Sequence, residues 1–163
     1  MTWKPEPAGT GGGELCVLLG LGAILCAIPS RSVTRLLLLE EARLLNAGVL
    51  QVDASKFAVW DLAQLLGFTY SAPRSWLLFS VQHEGASVPI ALRAGQCLAV
   101  ELVTSSLRLP HGVFRARNAA FAGAFDPARH RKLTAGVVGL QLDPLGLLSE
   151  TELDLSVARL AAA

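Results

Sequence analysis

The sequence predicts a mainly β protein made of two small, related, five-stranded barrels. Three observations predict it. Short apolar runs recur along most of the chain, separated by Gly, Pro and Asp turn signals at strand-length intervals. Two hairpin patterns open successive halves, LCVLLGLGAILCAIP around Gly20 and Gly22, and SWLLFSVQHEGASVPIAL around His83-Glu84-Gly85. Each half then ends on strand–Asp–xxx–Leu–Leu–small, as Asp61 with Leu65-Leu66-Gly67 and Asp143 with Leu147-Leu148-Ser149, 82 residues apart. Five short strands with a bent, glycine-containing hairpin close naturally into a barrel, which removes exposed strand edges.

Composition sets the outer limits. Apolar types make up 52% of the 163 residues and charged types 17%, the reverse of what a disordered chain needs. Fourteen Lys plus Arg against 13 Asp plus Glu leave a net charge of +1, too little for a protein that coats nucleic acid. One barrel of this size has a poor core, so two packed together account for the high apolar content.

The elements follow in order. Residues 1–13, MTWKPEPAGTGGG, are a flexible tail, because two prolines and four glycines hold no regular structure. The first barrel occupies 14–70. Its hairpin is followed by Val33 to Leu39, read either as a third strand or as the start of a short helix through LLLLEEARLL, with Glu40, Glu41 and Arg43 on the wet face. Val49, Phe57, Val59 and Trp60 mark two more strands around the polar turn Asp53-Ala54-Ser55-Lys56. Asp61 is the N-cap of a short helix, LAQLL, that Gly67 closes. FTYSAPRS (68–75) is a linker. The second barrel occupies 75–150: a hairpin, a third strand, a looser basic stretch, the strand LTAGVVGLQLD, and a helical turn with Pro144 at its first position. The segment 151–163 closes the chain, as a helix from Glu150 in preference to a strand.

The apolar run from Leu15 to Pro29 is fifteen residues long, short of the roughly twenty a membrane span needs. Glu14 before it, with Pro5 and Pro7, also spoils an export signal. A cytoplasmic protein without direct membrane insertion is expected. Cys16, Cys26 and Cys97 each sit in an apolar run and read as small buried hydrophobes. No C-x2-C or His pairing offers a metal site, His83, His111 and His130 lie in polar stretches away from any cysteine, and no cofactor is implied. Helix capping explains Asp61 and Asp143 more simply than an acid–base pair does. GTGGG at 9–13 lacks the lysine and preceding strand of a phosphate loop.

Two surfaces remain as candidates for binding. Arg31, Arg35, Lys56 and Trp60 fall near one another in the pattern of the first barrel; Trp60 is either an exposed anchor for a partner or a core residue between barrels. Arg108, Arg115, Arg117, Arg129, Arg131 and Lys132 face only Asp126 between 108 and 132, a solvated loop or a contact for an acidic protein. Phe114, Phe121 and Phe125 there read as core anchors, which argues against nucleic acid.

Three stretches carry a resemblance to a known family. ILCAIPSRSVTRLL (24–37), GVLQVDASKFAVWDLAQLLG (48–67) and SWLLFSVQHEGASVPIALRAGQCLAVEL (75–102), with the ending GLQLDPLGLL (139–148), resemble the CheW-like domain of bacterial chemosensory systems. The most specific pieces are A-I-P-x-x-x-V and D-L-x-x-L-L-G. The resemblance implies two pseudo-symmetric SH3-like barrels, no catalysis, and an adaptor that joins a histidine kinase's regulatory domain to a chemoreceptor tip, or to other CheW-like proteins. Asp53-Ala54 stands where the family has Arg-Gly, Ala58 where it has proline, and Arg93 where an Asp is usual. Asp53 reverses the sign of a partner contact, so a divergent chemosensory or motility adaptor is expected. The rival reading is a small-ligand binder or enzyme built on a polar group inside an apolar strand, for which Glu101, Arg93 and Gln141 come nearest. A third is an apolar subunit on a membrane complex.

Overall fold

A computed structural model describes residues 13–22, 24–46, 48–67, 73–104, 121–127 and 138–163. Arg115, Arg117 and most of the basic stretch lie outside the described residues, as do Trp3, His111, His130 and Phe114.

The chain divides into two compact units: residues 1–31 with 97–147, and 32–96 with 148–163. In the first unit the strands are β1 (Glu14–Leu21), β2 (Ile24–Pro29), β9 (Gln96–Val103), β10 (Phe121–Phe125) and β11 (Val138–Leu142), in the sheet order β10-β11-β2-β1-β9. In the second they are β3 (Arg35–Leu38), β4 (Arg43–Asn46), β5 (Val49–Val52), β6 (Ser55–Asp61), β7 (Ser75–His83) and β8 (Ala86–Ala94), in the order β3-β7-β8-β6-β5-β4. Helices α1 (Leu62–Leu66) and α2 (Glu150–Ala162) also belong to the second unit.

The twofold echo is present, but the barrels are not the halves 14–70 and 75–150. The hairpin β1–β2 is completed by β9, β10 and β11, and the hairpin β7–β8 by β3 to β6. Each half of the chain hands its later strands to the hairpin of the other half. In both units the last of the completing strands runs parallel to the second hairpin strand: β11 lies along β2, with Leu140 beside Cys26, and β6 lies along β8, with Val59 beside Ala91. Parallel neighbours cannot be joined by a tight turn, so a long connection is obligatory. The expected third strand forms as β3 and passes into a 3-10 turn at Leu39–Glu41. The second unit has a sixth strand, β4, in a segment whose leucines also suit a helix.

Each sheet curls on itself. Leu37 of β3, at one edge, packs in one cluster with Leu50 and Val52 of β5, near the other edge, together with Val59, Trp76, Leu78 and Ala91. In the first unit, Val103 of β9 and Phe125 of β10 meet Cys16, Leu18, Leu25 and Ala27 in the same way. Opposite edges share a core only if the sheet closes into a barrel. The hairpin strands are buried on both faces: Cys16 and Leu18 point inward, yet Val17 and Leu19 are also at most 5% exposed. That doubled burial explains the near-continuous apolar runs.

Turn chemistry matches the sequence. Gly22 takes φ +62°, and Gly67 takes φ +78° after α1. Asp61 accepts the Gln64 N–H at 3.1 Å, and Asp143 accepts the Leu145 N–H at 3.0 Å. Ser149 and Glu152 form a reciprocal capping box at the start of α2. Gly139 is demanded by space: a Cβ there would lie 2.6 Å from the Phe125 carbonyl oxygen. Substituting Gly139→Ala is expected to destabilise the first unit by about 1–3 kcal/mol through forced strand separation. Urea denaturation followed by far-UV circular dichroism measures it, and an unchanged midpoint would contradict the close approach.

Candidate partner-binding face

The β5–β6 turn sets up the site. Asp53 sits at its first position with φ +53°, a conformation that Asp and Asn tolerate better than most residues. The family-like glycine position, Ala54, is therefore not the one that needs freedom here. From this turn the Asp53 carboxylate reaches Arg35 Nη1 on β3 at 3.2 Å. Both side chains are well exposed, 52% for Arg35 and 83% for Asp53, so their bond contributes at most about 1 kcal/mol. Its importance is geometric, since it links the turn to the strand at the far edge of the curled sheet. Lys56, exposed on β6, lies opposite Gln51 of β5.

An open cleft of about 400 Å³ adjoins this pair, lined by Glu40, Glu41, Ala42, Arg43, Gln51 and Asp53. Glu41 is already engaged, accepting the Leu38 N–H at 2.6 Å. Leu38 and Leu44 carry large apolar side chains, 54% and 43% exposed, in the segments that lead into and out of the cleft-lining residues. Exposed leucines beside mixed charges have the make-up of a protein-contact surface, an apolar centre with a polar rim.

The remaining predicted residues are elsewhere. Arg31 lies in the first unit, in the 3-10 turn after β2, where its Nη2 is 2.7 Å from the Glu14 carboxylate. Arg35 belongs to the second unit. Trp60 is half-buried and not free for a partner: α2 lies over it. Its indole N–H donates to Ser156 Oγ at 2.8 Å, the Arg159 guanidinium stacks 4.8 Å from the ring centroid, and Arg159 Nη1 also donates to the Val59 carbonyl. Gly48 leaves room for the Arg159 side chain, which would lie 2.9 Å from a Cβ there. The signal was in α2, where Leu153, Ser156, Arg159 and Leu160 form a stripe at helical spacing. Trp60 holds the C-terminal helix to its own unit.

The hairpins disclose an echo at a spacing different from the Asp motif. Extending the β1–β2 register by two places sets Glu14 opposite Arg31, and 62 residues on Trp76 is opposite Arg93. The first pair makes an ion pair; in the second the Arg93 guanidinium stacks 5.0 Å from the Trp76 ring. The arginine is shared and its partner is changed. Arg93 thus lies half-buried against an indole, while Gln141 is buried at 3% exposure, with its amide oxygen unpartnered among the described residues.

Titration adds two facts. Burial pushes the Cys16 thiol up to about 12, with the Glu14 charge adding to it, and burial alone does the same for Cys26. Cys97 is also raised by burial. These sulfurs are poor nucleophiles at neutral pH. His83, at the end of β7, makes a 2.7 Å bond to Asp154 of α2. That bond holds its pKa above the ordinary 6.5, aided by Glu84 and Glu150 and opposed by partial burial.

No family model and no curated protein matches the sequence. The fold, in contrast, is similar to a solved structure: the scaffolding protein TtCheW from Thermoanaerobacter tengcongensis superposes with a TM-score of 0.65, covering 91% of this chain and 97% of that one, at 13% identity. The fold is CheW-like. Two SH3-like barrels with short helices are thereby established for a chain whose identity to that scaffold is low. Among the described residues, no helix is long and apolar enough to cross a membrane.

A group whose folded pKa is raised stabilises the fold while protonated, so the contribution is complete below about 6.5 and fades as pH climbs through the higher folded value. The second unit is expected to lose stability over that window, and Asp154→Asn to flatten the loss. Denaturant midpoints across the pH series, in metal-free buffer, check it; an identical slope in the variant would refute the assignment to His83 and Asp154.

Proposed function

We propose that this chain is a non-enzymatic, cytoplasmic signalling adaptor that joins a histidine kinase's regulatory domain to a receptor-like partner, in a divergent chemosensory or motility pathway. The observation that carries the reading is the CheW-like fold over nearly the whole of both chains. Arg35, Asp53 and Lys56, with Leu38, Leu44 and the adjoining cleft, are the contact face of the second unit; Arg31 supplies a separate contact on the first, and Arg115 and Arg117 engage an acidic partner. CheW-like proteins themselves are a further class of partner for the same face.

The sign of Asp53 decides which partner this face accepts. An acidic side chain here attracts a basic contact and repels an acidic one. The purified protein is expected to bind a chemosensory kinase's regulatory domain in a calorimetric titration, and no heat at high micromolar concentration would overturn the adaptor reading. Asp53→Asn keeps the left-handed turn and removes the charge, so folding stability should change by less than about 1 kcal/mol. Asp53→Arg should tighten binding to a standard kinase partner whose contact is acidic. Unchanged or weaker binding by that variant, with the fold intact by circular dichroism, would show that charge reversal is not what separates this chain from the standard adaptors.

A further inference from the structure

The tip of the β7–β8 hairpin and the outer side of α2 bring together three side chains that the adaptor reading does not use. The imidazole of His83, the carboxylate of Glu84 and that of Asp154 each offer one donor atom, and these atoms all lie within 4.8 Å of one another. His83 Nε2 is 2.7 Å from Asp154 Oδ1, and the His83 side chain is only 10% exposed, so the ring is held in place by its surroundings. We propose that these three residues form a binding site for a divalent transition-metal ion, with zinc the best fit, which clamps α2 to the hairpin.

The donor set selects the ion. Calcium and magnesium take oxygen ligands, whereas an imidazole nitrogen favours zinc and its neighbours in the first transition row. One nitrogen and two carboxylate oxygens make three protein ligands, which leaves the fourth tetrahedral position for water. Tetrahedral donors stand roughly 3.3 Å apart at ordinary zinc–ligand lengths. The ion therefore takes the place of the proton between His83 and Asp154 after a small outward turn of the exposed Asp154 side chain and an inward turn of the exposed Glu84 side chain.

The hairpin turn supplies an independent observation. Glu84 adopts φ +50° and Gly85 φ +77°, a primed turn in which the first position favours Gly, Asn or Asp. The equivalent position of the first hairpin, 62 residues earlier, is Gly22 at φ +62°, preceded by Leu21 where His83 stands. Glutamate has no short side-chain bond to offer this backbone, so local turn chemistry does not account for it. The second hairpin holds a carboxylate in a strained place beside an imidazole and an aspartate from another element. The turn thereby places the Glu84 carboxylate where it can serve as the third donor. Occupancy would strengthen the existing His83–Asp154 link between the hairpin and α2, beside the Trp60–Ser156 bond and the Arg159 contacts.

The test uses the full chain, stripped with a chelator and titrated with zinc chloride at pH 7.5. Binding is expected to be one to one, with the thermal midpoint rising by several degrees at saturation. His83→Ala and Asp154→Asn should each weaken that event by about tenfold or more, since each removes a ligand. Asp154 is exposed on α2, so its variant remains folded if the hairpin variant does not. Cobalt(II) should give the visible bands of a four-coordinate nitrogen and oxygen site without thiolate charge transfer. No saturable binding, equal binding by Asp154→Asn, or a thiolate band pointing to the cysteines would each overturn the proposal. None of these results bears on kinase binding, so the site and the adaptor reading fail separately.

Discussion

Each hairpin of this protein is left unfinished by its own neighbourhood in the sequence. β2 and β8 each present a free edge that only a parallel strand fills, and the parallel strand is β11 in one case and β6 in the other. Because parallel partners need a long connection, the segment between them is free to do other work. Between β2 and β11 run all six strands of the second unit, with β9 and β10, whereas between β6 and β8 run α1 and β7 of the same unit. Closing the first unit requires strands about 114 residues apart to pair, as Ile24 and Val138 do. Such contacts raise contact order and place folding among the slower β topologies. They also mean that neither half, cut near residue 70, contains a whole barrel.

The local level was legible. Both hairpins, the caps at Asp61 and Asp143, the Gly67 stop and the helix from Glu150 follow from residues within a few positions of one another. Turn and cap chemistry is short-ranged, so sequence shows it directly. The exchange of strands was not legible, because a parallel edge leaves no mark on either strand beyond an apolar run. β4 was hidden for a similar reason: RLLN beside LLLLEEA suits a helix as well, and only pairing with β5 resolves it. The candidate face was half legible. Arg35, Asp53 and Lys56 were identified from the turn and its flanks, but Arg31 falls in the other unit and Trp60 lies beneath α2. An indole in a strand gives no sign of which distant helix will cover it.

The two hairpins also show how one framework carries different chemistry. Arg31, just past the end of β2, and Arg93, near the end of β8, occupy equivalent places in the two hairpins. Opposite them stand Glu14 and Trp76, so one arginine satisfies a carboxylate and the other an indole face. A cation of this kind accepts either partner, since both offer negative potential at similar reach. Duplicated positions thus diverge in partner while keeping the cation, which leaves the hairpin geometry unchanged.

The same logic bears on how a fold persists at 13% identity. Conserving a double barrel requires inward residues that are apolar and of suitable size, and many sequences meet that condition. Outward residues are bound only by what they meet. On the second unit they include an aspartate at a left-handed turn, a paired arginine, a lysine and two exposed leucines. None of these is needed to fill the barrel, and the Arg35–Asp53 bond is too exposed to be worth much stability. Residues that stability does not demand are free to follow a partner. The shape of the fold and the chemistry of its outer surface are therefore set by separate sets of side chains, and the sign of the charge at Asp53 belongs to the second set.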